Sequence, residues 1–189
     1  FNINIDINIS KDVNFKNRFF IYSTSESSSS IQINFHNRKS IVNSLFEFFV
    51  QDSSNLKLIC VNNGKESVDI INYWFEIHKN ANLNATFISL GSEKILKNDI
   101  RVDLIGKSAK ADIGGLYIPQ LNALVDYNLK INHLSKKTSS KQFFRGILGE
   151  YSRASFTGLV KIEEGCSESK SEQANNNLLL SDKAFIKSD

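Results

Sequence analysis

Apolar and polar residues alternate with a period of two along most of this chain. Phe1, Ile3, Ile5, Ile7 and Ile9 fall on one face, and Asn2, Asn4, Asp6 and Asn8 on the other. Successive side chains of extended backbone point to opposite sides, so this is the pattern of a strand with one buried face. Ile31, Ile33 and Phe35 predict a second strand after a turn read at Ser27–Ser30, and Ile100, Val102 and Leu104 a third, ending at Gly106. Val125, Tyr127, Leu129, Ile131 and His133 share a face opposite Asp126, Asn128, Lys130 and Asn132. Phe156, Gly158, Val160 and Ile162 follow, closed by Gly165. Helical periodicity is weak. Only Ser40 to Val50 admits a helix, and its Phe and Val content also admits a strand.

Between these runs lie short turns such as Asn62-Asn63-Gly64, Lys79-Asn80-Ala81 and Gly106-Lys107-Ser108-Ala109. Gly, Asn, Asp and Ser favour such turns because they tolerate left-handed backbone or bond to it locally. The class is therefore all-β. Asn-Gly and Asp-Gly hairpin turns are scarce, which disfavours a hairpin sandwich. Strand, short turn and strand with small residues at the corners favour a stacked solenoid, in which each coil buries an inward row against the next.

Composition changes this picture little. The 189 residues suit one domain spanning 1–189 with its own core, and 41% hydrophobic with 23% charged residues are ordinary for a globular chain. The longest apolar patch, Ile41 to Val50, is interrupted by Asn43, Ser44 and Glu47, so no membrane span is expected. The net charge of +3 is dispersed. Its densest group, Lys136, Lys137 and Lys141, sits in a Ser/Thr-rich turn and reads as a solvated loop, not a nucleic-acid surface. The start at Phe1, the lack of Met and the end at Asp189 after a strand-like run lead us to expect a piece of a longer protein.

Candidate chemistry is sparse. His133 continues an inward-facing parity; it is either a metal ligand or proton carrier, or a core imidazole held by backbone or Ser/Thr partners. His36 and His78 lie in polar turns and read as surface residues. Cys60 ends the apolar run Leu56 to Ile59 and reads as a small core residue. Cys166 follows Gly165 among Glu163, Glu164 and Glu168, neighbours expected to suppress its thiolate. Two distant cysteines make neither a disulfide framework nor a four-thiolate cluster site, and a reducing compartment fits them. Gly114-Gly115 lacks the Lys-Ser/Thr of a phosphate loop. Asn175-Asn176-Asn177 reads as an amide ladder at solenoid corners, with ligand binding as the other reading. No residue is assigned a catalytic, cofactor-binding or metal-binding role.

The end of the chain carries a specific resemblance. Phe144-Arg145-Gly146, then Ser155-Phe156-Thr157-Gly158-Leu159-Val160-Lys161-Ile162, then Gln173-Ala174-Asn175-Asn176-Asn177-Leu178-Leu179-Leu180-Ser181 resemble the core of the SufB/SufD family of iron–sulfur cluster assembly proteins. Leu90-Gly91 with Lys97-Asn98-Asp99-Ile100-Arg101-Val102 fits the same family, with Ser92 where the family has a second glycine. Gly114-Gly115-Leu116-Tyr117, Asp126, Ile131-Asn132-His133, and Phe75-Glu76-Ile77 with Asn80-Ala81 fit as well; Phe1 to Val50 resembles it loosely. A cysteine and an acid typical of the SufB branch are absent after Gln173, so the SufD branch is the nearer one.

The resemblance implies a right-handed parallel β-helix whose terminal helical elements are missing here. It implies a non-catalytic scaffold subunit of the SUF complex, pairing with a SufB-like subunit and coupled to the SufC ATPase. A nascent cluster would form in the complete complex, with no cofactor bound by this stretch. It also implies a hetero-oligomer, with a homodimer open to it in isolation, located in the bacterial cytoplasm or a plastid, with neither nucleic acid nor membrane as partner. The open end of such a solenoid exposes strand edges, so poor or artificial association of this stretch alone is expected. The alternative is a parallel β-helix enzyme acting on polysaccharides. That chemistry needs clustered carboxylates, and only Asp99 and Asp103 share a parity.

Overall fold

Inward-facing residues of equal parity recur once per coil, and the chain folds by stacking them. The structure, a computed structural model, describes residues 1–91 and 93–189; Ser92, aligned above with a family glycine, lies outside the described residues. The described residues form fourteen strands and no helix. The odd-numbered strands are β1 (Asn2–Ile7), β3 (Ser28–Phe35), β5 (Asn55–Asn62), β7 (Asn82–Ser89), β9 (Lys110–Tyr117), β11 (Ser139–Leu148) and β13 (Lys170–Leu179). The even-numbered strands are β2 (Asn14–Ser23), β4 (Ile41–Val50), β6 (Val68–Ile77), β8 (Ile95–Leu104), β10 (Leu124–His133), β12 (Arg153–Ile162) and β14 (Phe185–Ser188).

The odd strands pair in parallel, in chain order, into one seven-stranded sheet, and the even strands into a second. Each coil contributes one strand to each sheet, giving a parallel β-solenoid of seven turns. Asn14 stands beside Ile41, Ile41 beside Val68, and Val68 beside Ile95, so one coil advances by 27 residues there. The later coils lengthen, and Thr138 neighbours Ser169 at a separation of 31.

The segment Ser40–Val50 resolves to strand. Val42, Phe46, Phe48 and Val50 are fully buried on one face of β4, and Ile41 and Asn43 are exposed on the other. The residues read as a turn at Ser27–Ser30 belong to β3 from Ser28 onward, because their backbone pairs with Asn55, Leu56 and Lys57.

One apolar cluster runs between the sheets from Ile7 to Ala184. Adjacent coils are spaced by the strand separation of about 4.8 Å, which suits ring-on-ring contact. Phe48 accordingly stacks on Phe75 with centroids 4.7 Å apart, and Phe19 on Phe46 at 4.8 Å.

The corners also stack. At the turns into β5, β7, β9 and β11, Ser53, Asn80, Ser108 and Lys137 hold left-handed backbone, followed by buried Ser54, Ala81, Ala109 and Thr138. Each left-handed residue donates its N–H to the next coil, as Ser53 to the Lys79 carbonyl at 2.8 Å and Asn80 to Lys107 at 3.0 Å. The small residues expected at the corners are therefore the inward ones, while the strained positions are mostly polar side chains in solvent. Gly106, two residues before the left-handed Ser108, is required by space, because a Cβ there would lie 2.0 Å from the Lys79 nitrogen.

Candidate functional site

The last three coils bring together the blocks that stood out in the sequence. Tyr117, Gly146 and Asn177 are direct register neighbours at the ends of β9, β11 and β13. Tyr117 is fully buried, and a Cβ on Gly146 would lie 2.2 Å from its ring. The missing side chain lets the Tyr117 hydroxyl pass over β11 to the amide oxygens of Asn175, at 3.0 Å, and Asn177. The Asn run is therefore not a corner ladder. It lies within β13, with Asn175 and Asn177 half-buried on the inward side.

His133 is fully buried at the end of β10. Its Nδ1 lies 2.7 Å from Thr138 Oγ1 and its Nε2 2.9 Å from Ser140 Oγ. Ser140 donates on to Ser171 at 2.8 Å, and Thr138 shares a 2.8 Å bond with Ser169. Burial lowers the imidazole pKa, which favours the neutral ring. Ser140 and His133 make a hydroxyl–imidazole pair of the type used in nucleophilic catalysis. Both are enclosed, so the arrangement joins coils and offers nothing to a substrate.

The other candidates are dispersed. Cys60 is buried in β5, and burial pushes its thiol up to about 12. Cys166 is half-buried in the turn before β13. His78 is half-buried, not a plain surface residue, and its Nε2 lies 3.0 Å from Glu76 Oε1. His36 is exposed. Asp103 is buried, and its carboxylate accepts from Trp74 Nε1 at 3.0 Å, Asn132 Nδ2 at 2.6 Å and Arg101 at 2.9 Å. Asp99 accepts from Asn128 at 3.2 Å and pairs with Lys97 at 3.4 Å. Both carboxylates are thus engaged by neighbours. Lys137 meets Glu168 across coils at 3.3 Å.

Two buried acids escaped the sequence reading. Asp69 follows the inward parity of Ile71, Tyr73, Phe75 and Ile77, and that parity was the signal available for it. Its carboxylate accepts from the Ser67 hydroxyl at 3.1 Å. Glu93, 1% exposed, lies in the corner before β8, where no periodic pattern marks it, and accepts the Gly64 N–H at 2.7 Å. Neither has a cationic partner among the described residues. Burial raises Asp69 to about 6 and Glu93 to about 7.

Reactive groups do not converge. Among the described residues no three His, Cys, Asp or Glu side chains could hold a metal ion together. What converges at the last coils is apolar surface. Leu159, Ile162, Leu178, Leu179, Leu180 and Phe185 are all 44% or more exposed, and β13 and β14 are the outermost strands of their sheets. A strand edge with aliphatic side chains beside it is where a further strand, of the same chain or of a partner, adds to a sheet. No helix among the described residues is long and apolar enough to cross a membrane.

The comparisons with known proteins agree with this architecture. The family model for the SUF system FeS cluster assembly, SufBD core domain, matches residues 7–189. The iron–sulfur cluster assembly protein SufD of Escherichia coli (strain K12) is 26% identical over 86 residues, covering 46% of this chain and 20% of that protein. The aligned stretch thus spans about a fifth of the relative's length.

Proposed function

The chain belongs to the SufBD core family of the SUF iron–sulfur cluster assembly system, and we propose that it serves there as a SufD-like, non-catalytic scaffold subunit. In this reading it pairs with a SufB-like subunit and is coupled to the SufC ATPase. A cluster assembled on the complex is its cargo, and it works in the bacterial cytoplasm or a plastid. The observation that carries the proposal is the family match along nearly the whole solenoid. The dispersal of its reactive side chains supports a scaffold role. His133, Cys60, Asp103 and Glu93 are each enclosed and spent on internal contacts or held in the core. The aliphatic side chains exposed on the last coils supply a surface of the kind that a further segment of the chain or a subunit contact covers.

The ATPase rate of the SufC partner tests this, measured alone, with the SufB-like subunit, and with the full-length version of this chain added. A scaffold role predicts that the third component raises the rate. An unchanged rate with folded components contradicts it. Hydrolysis of pectin-like polysaccharides by the protein alone would favour the enzyme reading instead.

A further inference from the structure

The outer corner between the odd and even sheets stacks cations of like sign. Arg38 and Lys65 are joined by a parallel bridge. Arg38 donates its N–H to the Ile9 carbonyl at 2.9 Å, and Lys65 donates to Asn37 at 2.8 Å. Lys11, Arg38 and Lys65 therefore occupy the same place on three successive coils. Each immediately precedes a left-handed residue: Asp12 (φ 63°), Lys39 (φ 48°) and Glu66 (φ 54°). All three cations are exposed.

Like charges directly opposite on neighbouring strands oppose folding. The opposite corner stacks Lys79, Lys107 and Lys136 in the same way, and within the strands Arg101 stands beside Lys130 and Glu76 beside Asp103. Partners of other charge lie close to those: Glu168 meets Lys137 at 3.3 Å beside Lys136, and Asp103 accepts from Arg101 and Asn132. At the cationic corner the nearby acid Glu66 is engaged by Lys39 at 3.6 Å. No carboxylate among the described residues pairs with Lys11, Arg38 or Lys65. At this corner the stacked cations include a guanidinium and frame a pocket.

These three side chains line one pocket with Asn8, Ser10, His36 and the Lys39–Glu66 ion pair, over the aliphatic side chain of Ile9. Hydrogen-bond donors dominate it. A guanidinium offers a planar fork to two oxygens of an oxyanion, and ammonium groups add point charge. Three adjacent cations match a dianion better than a single carboxylate. We propose that this corner binds a phosphate group, either free phosphate or the phosphate of a monoester whose organic part rests on Ile9.

Calorimetric titration of the full-length protein tests this, at constant ionic strength set with chloride. The probes are inorganic phosphate, phenyl phosphate and acetate. Saturable binding of phosphate is expected, with affinity at least tenfold weaker in Arg38→Gln/Lys65→Gln and also reduced in Lys11→Gln. The control Lys136→Gln/Lys137→Gln, at the opposite corner, should bind as the parent does. Tighter binding of phenyl phosphate would identify a monoester as the ligand, and equal binding would identify free phosphate. Absence of saturable heat, an equal loss in the control, or acetate binding as tight as phosphate would overturn the proposal. Melting curves of each variant separate lost binding from lost fold.

Discussion

The Tyr117 hydroxyl lies 3.0 Å from Asn175 Oδ1, two coils further along the solenoid. The contact spans β11 because Gly146 presents no side chain beneath the ring. One residue without a Cβ therefore lets a buried tyrosine on β9 bond to β13 across β11. Gly146→Ala should destabilise the protein by about 1–3 kcal/mol through overpacking. Tyr117→Phe should cost about 1 kcal/mol for the lost hydrogen bond. Urea denaturation of both variants checks this, and in the Gly146→Ala background the Tyr117→Phe change should matter less. A Gly146→Ala protein as stable as the parent would show that the coils are not in this close contact.

The buried acids make stability pH-dependent in a definite direction. Folding raises Asp69 to about 6 and Glu93 to about 7, above the ordinary carboxylate value of about 4. The native state thus holds protons that the unfolded chain releases. The stability this gives is full below about pH 4 and is lost as pH rises through 6 and 7. His133 acts oppositely: burial lowers its pKa, so its contribution is lost as pH falls below about 6.5. Asp69→Asn and Glu93→Gln should each stabilise the protein at pH 8 by about 1–3 kcal/mol. They should flatten the difference between pH 5.5 and pH 8 in urea denaturation. Loss of stability at pH 8 in both variants would mean the carboxylates are ionised and compensated.

The two thiols should differ sharply in reactivity. Cys60 is fully buried with its thiol pushed up to about 12, and Cys166 is half-buried in a turn. A thiol reagent at pH 8 should modify Cys166 in the native protein and reach Cys60 only on unfolding. Mass spectrometry after brief alkylation reads this directly. Equal labelling of both would mean that the middle coils open readily.

A solenoid divides its stability among neighbouring coils, so protection should vary along the axis. In β6 every second residue from Asp69 to Ile77 is buried, whereas β13 and β14 have no fully buried residue. Amide exchange should be slowest in β4, β6, β8 and β10 and fastest in β13 and β14. Binding of a partner at the last coils should slow exchange in β13 and β14 first.

The legible part of the fold was its period. β10 runs from Leu124 to His133 with the predicted parity because an alternating strand leaves no other register that buries Val125, Tyr127, Leu129 and Ile131 together. The pairing of strands was not legible. Coil-to-coil register depends on residues 27 or more apart whose identities drift, as Phe46, Tyr73, Ile100 and Leu129 do in one column. Ser40–Val50 stayed ambiguous because Phe46, Glu47 and Phe48 are all buried, which blurs the alternation. Glu47 is covered by its own ion pair with Arg18, a partner 29 residues away. The Asn run misled because amides that bond a buried tyrosine from within a strand look the same in sequence as amides that stack at corners.

The central claim is that this chain is the SufD-like scaffold of a SUF complex. Its most direct test is co-expression of the full-length protein with the SufB-like and SufC partners from the same source, followed by purification on one tag and mass by light scattering. The account predicts a stable particle containing all three proteins. Recovery of the tagged protein alone, with the partners folded and present, would contradict the claim and leave the family resemblance as one of fold.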